Sequence, residues 1–258
     1  MIGIQYAGGL GNQMFQHGFA RILEKKYGVP LGSWHGTPPA LRPFPATSLG
    51  LCEEDVREPL SVLPEQNSGF QIDPQREKKL DLESLGSLLR KGDVLLHGYF
   101  QKYHYYSGQV AFFRTLFQME PVRIEQMPGN EDLVIYMQSY FNVGVDFFLR
   151  EIPNVPFKKL WIMVNDLERG WEMVGQIRKR FGGCIVHHAC HLKDFTFLRL
   201  SPRMMLAPST FAWWAAYLSE ATDVVFARPS SGYGSRSHGV ASLEITDEAR
   251  FRYVDYRV

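Results

Sequence analysis

The chain has few cysteines and almost no net charge. Its 258 residues include only Cys52, Cys184 and Cys190, an odd and sparse set that argues against a disulfide framework and for a reducing compartment. Lys and Arg number 28 and Asp and Glu number 27, so the formal charge is +1, and no run of basic residues stands out. This balance argues against nonspecific nucleic-acid binding.

The sequence also lacks long apolar runs, internal repeats and low-complexity tracts. No stretch approaches the length that spans a bilayer, and MIGIQYAGG at the start reaches glycine too early for a signal peptide. We therefore expect a cytoplasmic protein without a membrane span. Aromatic residues are abundant, at 14% of the chain, and they suit both a packed core and stacking on planar or sugar ligands.

Strand and helix patterns alternate in the first half of the chain. A strand over 2–6 precedes a helix over 12–27, which Gly28 is expected to stop. Residues 30–74 are rich in proline and glycine and predict a long loop region with short elements. The remaining elements are a polar helix over 81–90, a strand running into a loop over 93–101, and a helix over 103–118.

A second alternating series occupies the other half. Its strands are predicted over 133–137, 160–166, 184–188, 203–208 and 223–229, and its helices over 168–181, 194–201 and 210–220. The final residues, FRYVDYRV, fit an edge strand or an ordered tail. Strands alternating with helices predict an α/β fold with parallel sheets, in two units joined near residue 129.

A glycine-rich turn, GGLGNQMFQ at 8–16, joins the first strand to the first helix. Glycines leave backbone N–H groups uncovered where a helix begins, which suits an anion or a sugar. Asn12 and Gln13 add amides that do not titrate, so they orient a polar ligand rather than move a proton. A strand-to-helix turn that needs glycine only for tightness explains the pattern equally well.

Three loops of the second half follow predicted strands, where open α/β sheets bind ligands. They are Val164-Asn165-Asp166, residues 187–194, and Pro208-Ser209-Thr210. Ser209 or Thr210 is expected to cap the next helix, whose first N–H groups then point at a phosphate, although capping alone also explains the serine. The bulky first turn, with Phe211, Trp213 and Trp214, fits either a wall against a planar base or the core.

A cluster of possible metal ligands lies in GGCIVHHACH, residues 182–191. It contains Cys184, His187, His188, Cys190 and His191, which are residue types that hold Zn²⁺. Because neighbours on a strand point to opposite faces, we expect these side chains not to converge, and we predict no metal site. His187 or His188, at the end of this strand, is a candidate contact for a nucleotide. A zinc-stabilised interaction domain is the weaker alternative.

Four blocks together carry a family resemblance. They are GGLGNQMFQHGFAR at the start, HGYFQKYHYY at 97–106, DFTFLRLSPRMMLAPSTFAWWAAYLS at 194–219 and VVFARP at 224–229. In order and spacing they resemble the α-1,2-fucosyltransferase family of inverting glycosyltransferases over nearly the whole chain. The resemblance implies a GT-B type α/β fold, with two Rossmann-like lobes facing across a cleft. Residues 1–128 would form the acceptor lobe with the glycine-rich loop, and residues 129–258 the lobe that binds the nucleotide sugar.

The resemblance also implies a GDP-fucose donor, a glycan hydroxyl as acceptor, and no required metal or cofactor. Gly9, Gly11, Asn12 and Gln13 would reach the donor phosphate and the reacting sugar. Asp194 would accept hydrogen bonds from the guanine edge. The remaining donor contacts implied by the family pattern are the pyrophosphate-binding residues Ser209, Thr210 and Phe211.

One block departs from the family pattern. The family has a strand ending in His-x-Arg-Arg-x-Asp-Tyr, whose arginine neutralises the departing diphosphate, whereas IYMQSYFN stands here at 135–142. Tyr136 replaces the His, Gln138 and Ser139 replace the arginines, and Phe141 replaces the Asp. Gln138 would bind a phosphate oxygen without charge, and Arg228 or Arg236 would be a substitute cation.

These departures leave three explanations open: a different sugar or nucleotide, a relocated cation, or a relative that only binds. An inverting transfer is helped by a base that accepts the proton of the attacking hydroxyl, but no residue is marked as that base by its spacing. The catalytic candidates are Asn12, Gln138 and His97. We expect an inverting glycosyltransferase that moves a fucose-like deoxyhexose from a GDP-sugar to a glycan hydroxyl.

Overall fold

The computed structural model describes residues 1–32, 38–47, 61–64, 82–138, 143–229 and 243–256. Cys52, Ser139, Phe141 and Arg236 lie outside these ranges. The described residues form two compact units. The first unit holds those up to Glu120 together with Leu243, and the second holds those within 121–229 and 244–256.

The first unit is built on a four-stranded parallel sheet in the order β2-β1-β4-β3. Its strands are β1 (Ile2–Ile4), β2 (Leu31–Gly32), β3 (Ser61–Pro64) and β4 (Val94–His97). Its helices are α1 (Leu10–Tyr27), α2 (Leu82–Lys91) and α3 (Val110–Leu116). β1 lies between β2 and β4 and all three of its residues are buried, which is typical of a parallel strand.

The first helix follows its sequence pattern closely. Met14, Phe15, Phe19 and Leu23 are fully buried, as expected for the apolar face of a helix packed on a sheet. Gly28 ends α1 in the left-handed conformation, at φ 65°, and its N–H donates to the carbonyl of Glu24. The predicted stop at this glycine is confirmed.

The helix predicted over 103–118 is wrong in its first half. Residues Tyr103–Tyr105 form a 3-10 turn, and Gly108, at φ 70°, separates it from α3. The hydroxyl of Tyr106 lies 3.1 Å from the carbonyl oxygen of Phe15 and 2.8 Å from that of Phe100. These two hydrogen bonds fix Tyr106 outside a helix, and helical periodicity does not predict them, because the one to Phe15 joins residues far apart in the sequence.

The second unit is built on a six-stranded parallel sheet in the order β10-β9-β8-β5-β6-β7. Its strands are β5 (Leu133–Met137), β6 (Leu160–Val164), β7 (Ile185–His187), β8 (Arg203–Leu206), β9 (Asp223–Pro229) and β10 (Phe251–Tyr256). Its helices are α4 (Val145–Glu151), α5 (Leu167–Phe181), α6 (His191–Arg199) and α7 (Thr210–Leu218). Helix α4, between β5 and β6, is absent from the elements predicted from the sequence.

The structure of the second unit decides two alternatives that the sequence left open, the place of the α7 tryptophans and the nature of the final residues. β5 is buried along its whole length, and α7 buries Trp213 and Trp214, which are 3% and 0% exposed. Both tryptophans therefore belong to the core. β10 pairs with β9 alone, so the end of the chain is an edge strand as far as it is described.

The predicted α/β class with parallel sheets is confirmed in both units. Within the ranges that the structure describes, every helix is too short or too polar to cross a bilayer. The assignment of acceptor and nucleotide-sugar roles to residues 1–128 and 129–258 stays a prediction.

Candidate functional site

The candidate site lies at the carboxyl edge of the second sheet, where the strand order reverses. From β5, the chain builds β6 and β7 on one side and then β8, β9 and β10 on the other. In open α/β sheets such a switch point opens a crevice beyond the strand ends, and ligands bind there. Gln138 directly follows β5, and Ser209 lies three residues beyond β8. The topology therefore brings two of the predicted donor-binding residues to one place.

Tyr136 is the buried centre of this edge. It is 4% exposed, its carbonyl accepts a hydrogen bond from the Ala207 N–H, and its hydroxyl donates to Gln138 Oε1 at 2.5 Å. Its hydroxyl also shares a side-chain hydrogen bond with Ser209. Burial raises the pKa of Tyr136 well above its usual range, and this effect outweighs the lowering by the Ser209 hydrogen bond. Tyr136 therefore stays neutral and acts through hydrogen bonds.

Ser209 caps α7, so the structure assigns the cap to Ser209 rather than Thr210. Its Oγ accepts the Ala212 N–H at 3.0 Å while its backbone is extended, at φ −157° and ψ 150°. The first turn of α7 directs N–H groups and the positive end of the helix dipole towards the same edge as Gln138. Such a helix start suits the oxygens of an anion.

Asp194 and His187 meet at the neighbouring part of the edge. Asp194 is 6% exposed, and its Oδ1 accepts the Ala189 N–H at 3.0 Å. His187 Nε2 lies 3.1 Å from the same oxygen but is not aligned as a hydrogen bond. The His187 ring is stacked on Phe197, with centroids 3.8 Å apart and planes 5° apart. Among the described residues no hydrogen bond uses Asp194 Oδ2, which leaves one oxygen of a buried carboxylate for outside donors.

Phe211 links the two parts of the edge. Its ring lies 6.0 Å from that of Tyr136 and packs edge-on against Phe195, 5.4 Å away. Phe195 is fully buried beside Asp194, whereas Phe211 is half-buried. Of the aromatic residues in the first turn of α7, Phe211 is thus the one that offers part of its ring to a planar ligand.

The glycine-rich turn belongs to the first unit. Helix α1 begins at Leu10, two residues before the predicted start, with Gly9 as its N-cap residue and no side-chain cap. Gly8 has φ 76°, and a Cβ there would lie 2.2 Å from Asn12 Nδ2, whereas a Cβ at Gly9 would meet nothing within 4 Å. Glycine is therefore required at Gly8, both for its backbone conformation and for the close approach of Asn12.

The amides of this turn are largely engaged in hydrogen bonds within the first unit. Gln101 Nε2 donates to Asn12 Oδ1 at 3.0 Å, and Gln13 Nε2 donates to the carbonyl of Gly8 at 2.8 Å. Gln13 Oε1 is buried without a hydrogen-bond partner. Gly11 is buried in the helix, so Gly9 is the predicted glycine whose surface is exposed. These contacts account for a tight turn, and the role of the turn in binding a donor stays a prediction.

His97 and His17, both in the first unit, differ in environment. His97 is exposed, and its Nδ1 lies 2.8 Å from Gln5 Oε1. His17 is fully buried, with Nδ1 2.6 Å from the Tyr6 hydroxyl and Nε2 accepting from Arg21 Nε at 3.2 Å. Burial, helped by the charge of Arg21, lowers the pKa of His17 to about 3. His17 is therefore a neutral packed residue.

The possible metal ligands lie in different surroundings, and of the five only His187 belongs to β7. Cys184 is buried in the core and its Sγ donates to the carbonyl of Gly182, whereas His187 faces Asp194. His188, Cys190 and His191 are exposed. Throughout the part of the chain that the structure describes, no three His, Cys, Asp or Glu residues are grouped to hold a metal ion.

Two further sequence candidates have structural partners. Arg228 pairs with Asp255 at 2.5 Å and with Glu244 at 3.2 Å, and these hydrogen bonds raise its already high pKa. Two carboxylates thus offset the charge proposed to replace the family arginine. Asp166, in the candidate loop after β6, caps α5 by accepting the Arg169 N–H.

Tyr136 is the residue whose place in the site was not predicted from the sequence. The sequence pointed to it only by alignment, because Tyr136 stands where the family that the chain resembles has a histidine. A buried hydroxyl that joins two separate loops is recognisable only when β5 and β8 are seen side by side.

Comparison with known proteins supports the fold. No protein-family model matches the chain, and no curated protein sequence matches it. Among solved structures, it is similar to an Arg-to-Lys mutant of Arabidopsis thaliana FUT1 in complex with GDP, with a TM-score of 0.56 and 9% sequence identity. The match covers 90% of this chain and 70% of that chain. At this identity the likeness shows the fold alone, and the predicted GT-B type is confirmed.

Proposed function

We propose that this chain is an inverting glycosyltransferase that moves a fucose-like deoxyhexose from a GDP-sugar to a glycan hydroxyl. The observation that carries the proposal is the grouping of Asp194, Phe211, Ser209 and Gln138 at the switch point of the second sheet. The fold likeness to FUT1 bound to GDP supports it.

The chemistry of each group matches one part of a GDP-sugar. The Asp194 carboxylate accepts N–H donors, and guanine offers such donors on its edge. The half-buried face of Phe211 suits stacking on the base. The first turn of α7 and the Gln138 amide suit the oxygens of the diphosphate, with no metal needed to hold them.

In the proposed reaction the acceptor hydroxyl attacks the anomeric carbon from the face opposite the diphosphate. A carbon–oxygen bond forms to the acceptor, the bond to the diphosphate breaks, and the hydroxyl proton passes to a base. His97 is the candidate base, because Gln5 Oε1 near its Nδ1 favours a proton there and leaves Nε2 as the acceptor. Asn12 would orient the reacting sugar.

Neutral donors at the diphosphate predict slow transfer. Electrostatic stabilisation of the leaving group is commonly the largest catalytic effect, and removing one such donor costs about 2.7–4 kcal/mol in a well-studied case. Gln138 supplies a hydrogen bond without the charge of an arginine. For the same reason, a nucleotide-sugar binding protein without turnover is the second candidate, and product formation from GDP-fucose separates the two.

A thermal-shift panel tests the donor, because a ligand that binds only the folded state raises the melting temperature. The ligands are GDP, UDP, dTDP, GDP-fucose and GDP-mannose, without metal and with EDTA. We expect shifts with the GDP compounds alone. Asp194→Asn is expected to lose that preference, because an amide presents a donor to the guanine edge where the carboxylate presents an acceptor.

The matched control for this panel is Asp166→Asn, which alters the cap of α5 in the same unit. It is expected to keep the preference for GDP. A shift with UDP or dTDP alone would change the proposed donor. A chain that none of the nucleotides stabilises would contradict the proposal.

A further inference from the structure

Four groups at the switch point form a chain of hydrogen bonds that runs in one direction. The Ala212 N–H donates to Ser209 Oγ at 3.0 Å. Ser209 is in side-chain hydrogen-bond contact with the Tyr136 hydroxyl, which donates to Gln138 Oε1 at 2.5 Å. The series begins at the first turn of α7 and ends at an amide that is half-buried at the end of β5.

The roles of the groups give this direction. A main-chain N–H can only donate, so Ser209 Oγ accepts from Ala212. The Ser209 hydrogen bond lowers the pKa of Tyr136, as expected when the serine hydroxyl donates to the phenol oxygen. The tyrosine proton is then directed to Gln138 Oε1. With its oxygen engaged inside the protein, the Gln138 side chain presents Nε2, which carries two N–H donors and no acceptor.

We propose that Tyr136 is a positioning residue that holds the Gln138 amide with its NH₂ group towards the ligand, where it donates to a diphosphate oxygen. This inference rests on the proposed function and deepens it, because it assigns how an uncharged side chain serves at the position of the family arginine. A glutamine left to rotate would also present its oxygen to the phosphate, and two acceptors repel each other.

The position of Tyr136 supports this assignment. Its ring is held between buried neighbours, with its backbone in register with Met163 of β6 and Leu206 of β8. A phenol in a central strand cannot move without disturbing the sheet, so its hydroxyl is a fixed point for a mobile amide. The hydrogen-bond chain also lies at the positive end of the α7 dipole, which favours an anion at the same place.

The experiment is a double-mutant cycle on ligand affinity, measured by calorimetry with GDP and with guanosine, which lacks the diphosphate. Tyr136→Phe and Gln138→Ala are each expected to weaken GDP binding about tenfold, the size of one charge-assisted hydrogen bond. Guanosine binding is expected to change less than about twofold in both, because neither lost contact reaches the base. The double variant is expected to bind GDP no more weakly than Gln138→Ala alone.

Two further variants test whether GDP affinity depends on the hydrogen-bond donor of Gln138 or only on the size of the side chains. Gln138→Glu keeps the size and the acceptor for Tyr136 but places a carboxylate at the phosphate, so it is expected to bind GDP more weakly than Gln138→Ala. Tyr253→Phe removes another tyrosine hydroxyl of the same sheet, which accepts the Ile245 N–H, and is expected to leave the ratio of GDP to guanosine affinity unchanged.

The outcomes distinguish this inference from the proposed function. If the wild type binds neither GDP nor guanosine, both are wrong. If it binds GDP but the effects of Tyr136→Phe and Gln138→Ala add fully, or guanosine weakens as much as GDP, the positioning role alone is wrong. A GDP-specific loss that the double variant does not deepen supports it.

Discussion

At the scale of single residues, His17 makes the free energy of unfolding depend on pH. Its folded-state pKa is about 3, against about 6.5 for an exposed histidine. Between these values the unfolded chain binds a proton that the folded chain does not, so the free energy of unfolding falls as pH falls from 6.5 towards 3. His17 alone is expected to remove about 2 kcal/mol of stability between pH 7.5 and pH 5.

Urea unfolding of the wild type and His17→Gln at these two pH values tests this expectation. The variant is expected to be less stable at pH 7.5, because it disturbs the contacts to Tyr6 and Arg21, but to lose less stability on acidification. His104→Gln, at an exposed histidine of the same unit, is the control and is expected to keep the wild-type dependence. An unchanged pH dependence in His17→Gln would show that His17 takes up a proton as readily in the folded protein as in the unfolded chain, which contradicts the lowered pKa.

At the scale of elements, the turn before α1 separates a structural glycine from an exposed one. Gly8→Ala is expected to destabilise the protein by about 1–3 kcal/mol, because alanine is strained at φ 76° and its Cβ meets the Asn12 amide. Gly9→Ala meets no atom and is expected to stay within about 0.5 kcal/mol of the wild type. Thermal unfolding measures both.

The same pair of variants tests the proposed role of this turn in catalysis. If the backbone at Gly9 approaches the sugar or phosphate, Gly9→Ala lowers the transfer rate while the fold is intact. A Gly9→Ala variant with wild-type turnover would mean that the glycines serve the turn alone.

The caps of α7 and α5 form a second matched pair. Ser209→Ala and Asp166→Ala each remove a side chain that accepts a first-turn N–H, so each is expected to cost about 1 kcal/mol of stability. Only Ser209→Ala also removes a partner of Tyr136, so it alone is expected to weaken GDP binding. Equal losses of GDP affinity in the two variants would contradict a specific role for Ser209.

At the scale of the whole molecule, the division into two units predicts where a nucleotide acts. Hydrogen exchange with and without GDP is expected to slow in the second unit, at the end of β5 and the first turns of α6 and α7. In the first unit we expect smaller changes, confined to the glycine-rich turn that is proposed to reach the donor phosphate. Protection confined to the first unit would overturn the placement of the donor.

Much of the architecture follows from local patterns. Buried runs such as LVIYM and LWIMV predict parallel strands, and Gly28 predicts the end of α1, because burial on both faces and a left-handed cap leave direct traces in residue type. The sequence-based predictions are wrong where tertiary contacts override the local pattern. Tyr106 bonds to carbonyls of Phe15 and Phe100, and so breaks a pattern that locally predicts a helix.

By itself, the sequence determined the alternation of strands and helices and the absence of charged residues from IYMQSYFN at 135–142. Its family resemblance pointed to Asp194, Ser209 and Gln138 as candidate residues. Only the tertiary structure decided that Tyr136 joins Ser209 to Gln138, that Cys184 and His187 separate, and that the tryptophans of α7 are core. The physical reason is that residue types record burial and backbone conformation, whereas hydrogen bonds between neighbouring strand ends depend on the order in which the strands assemble.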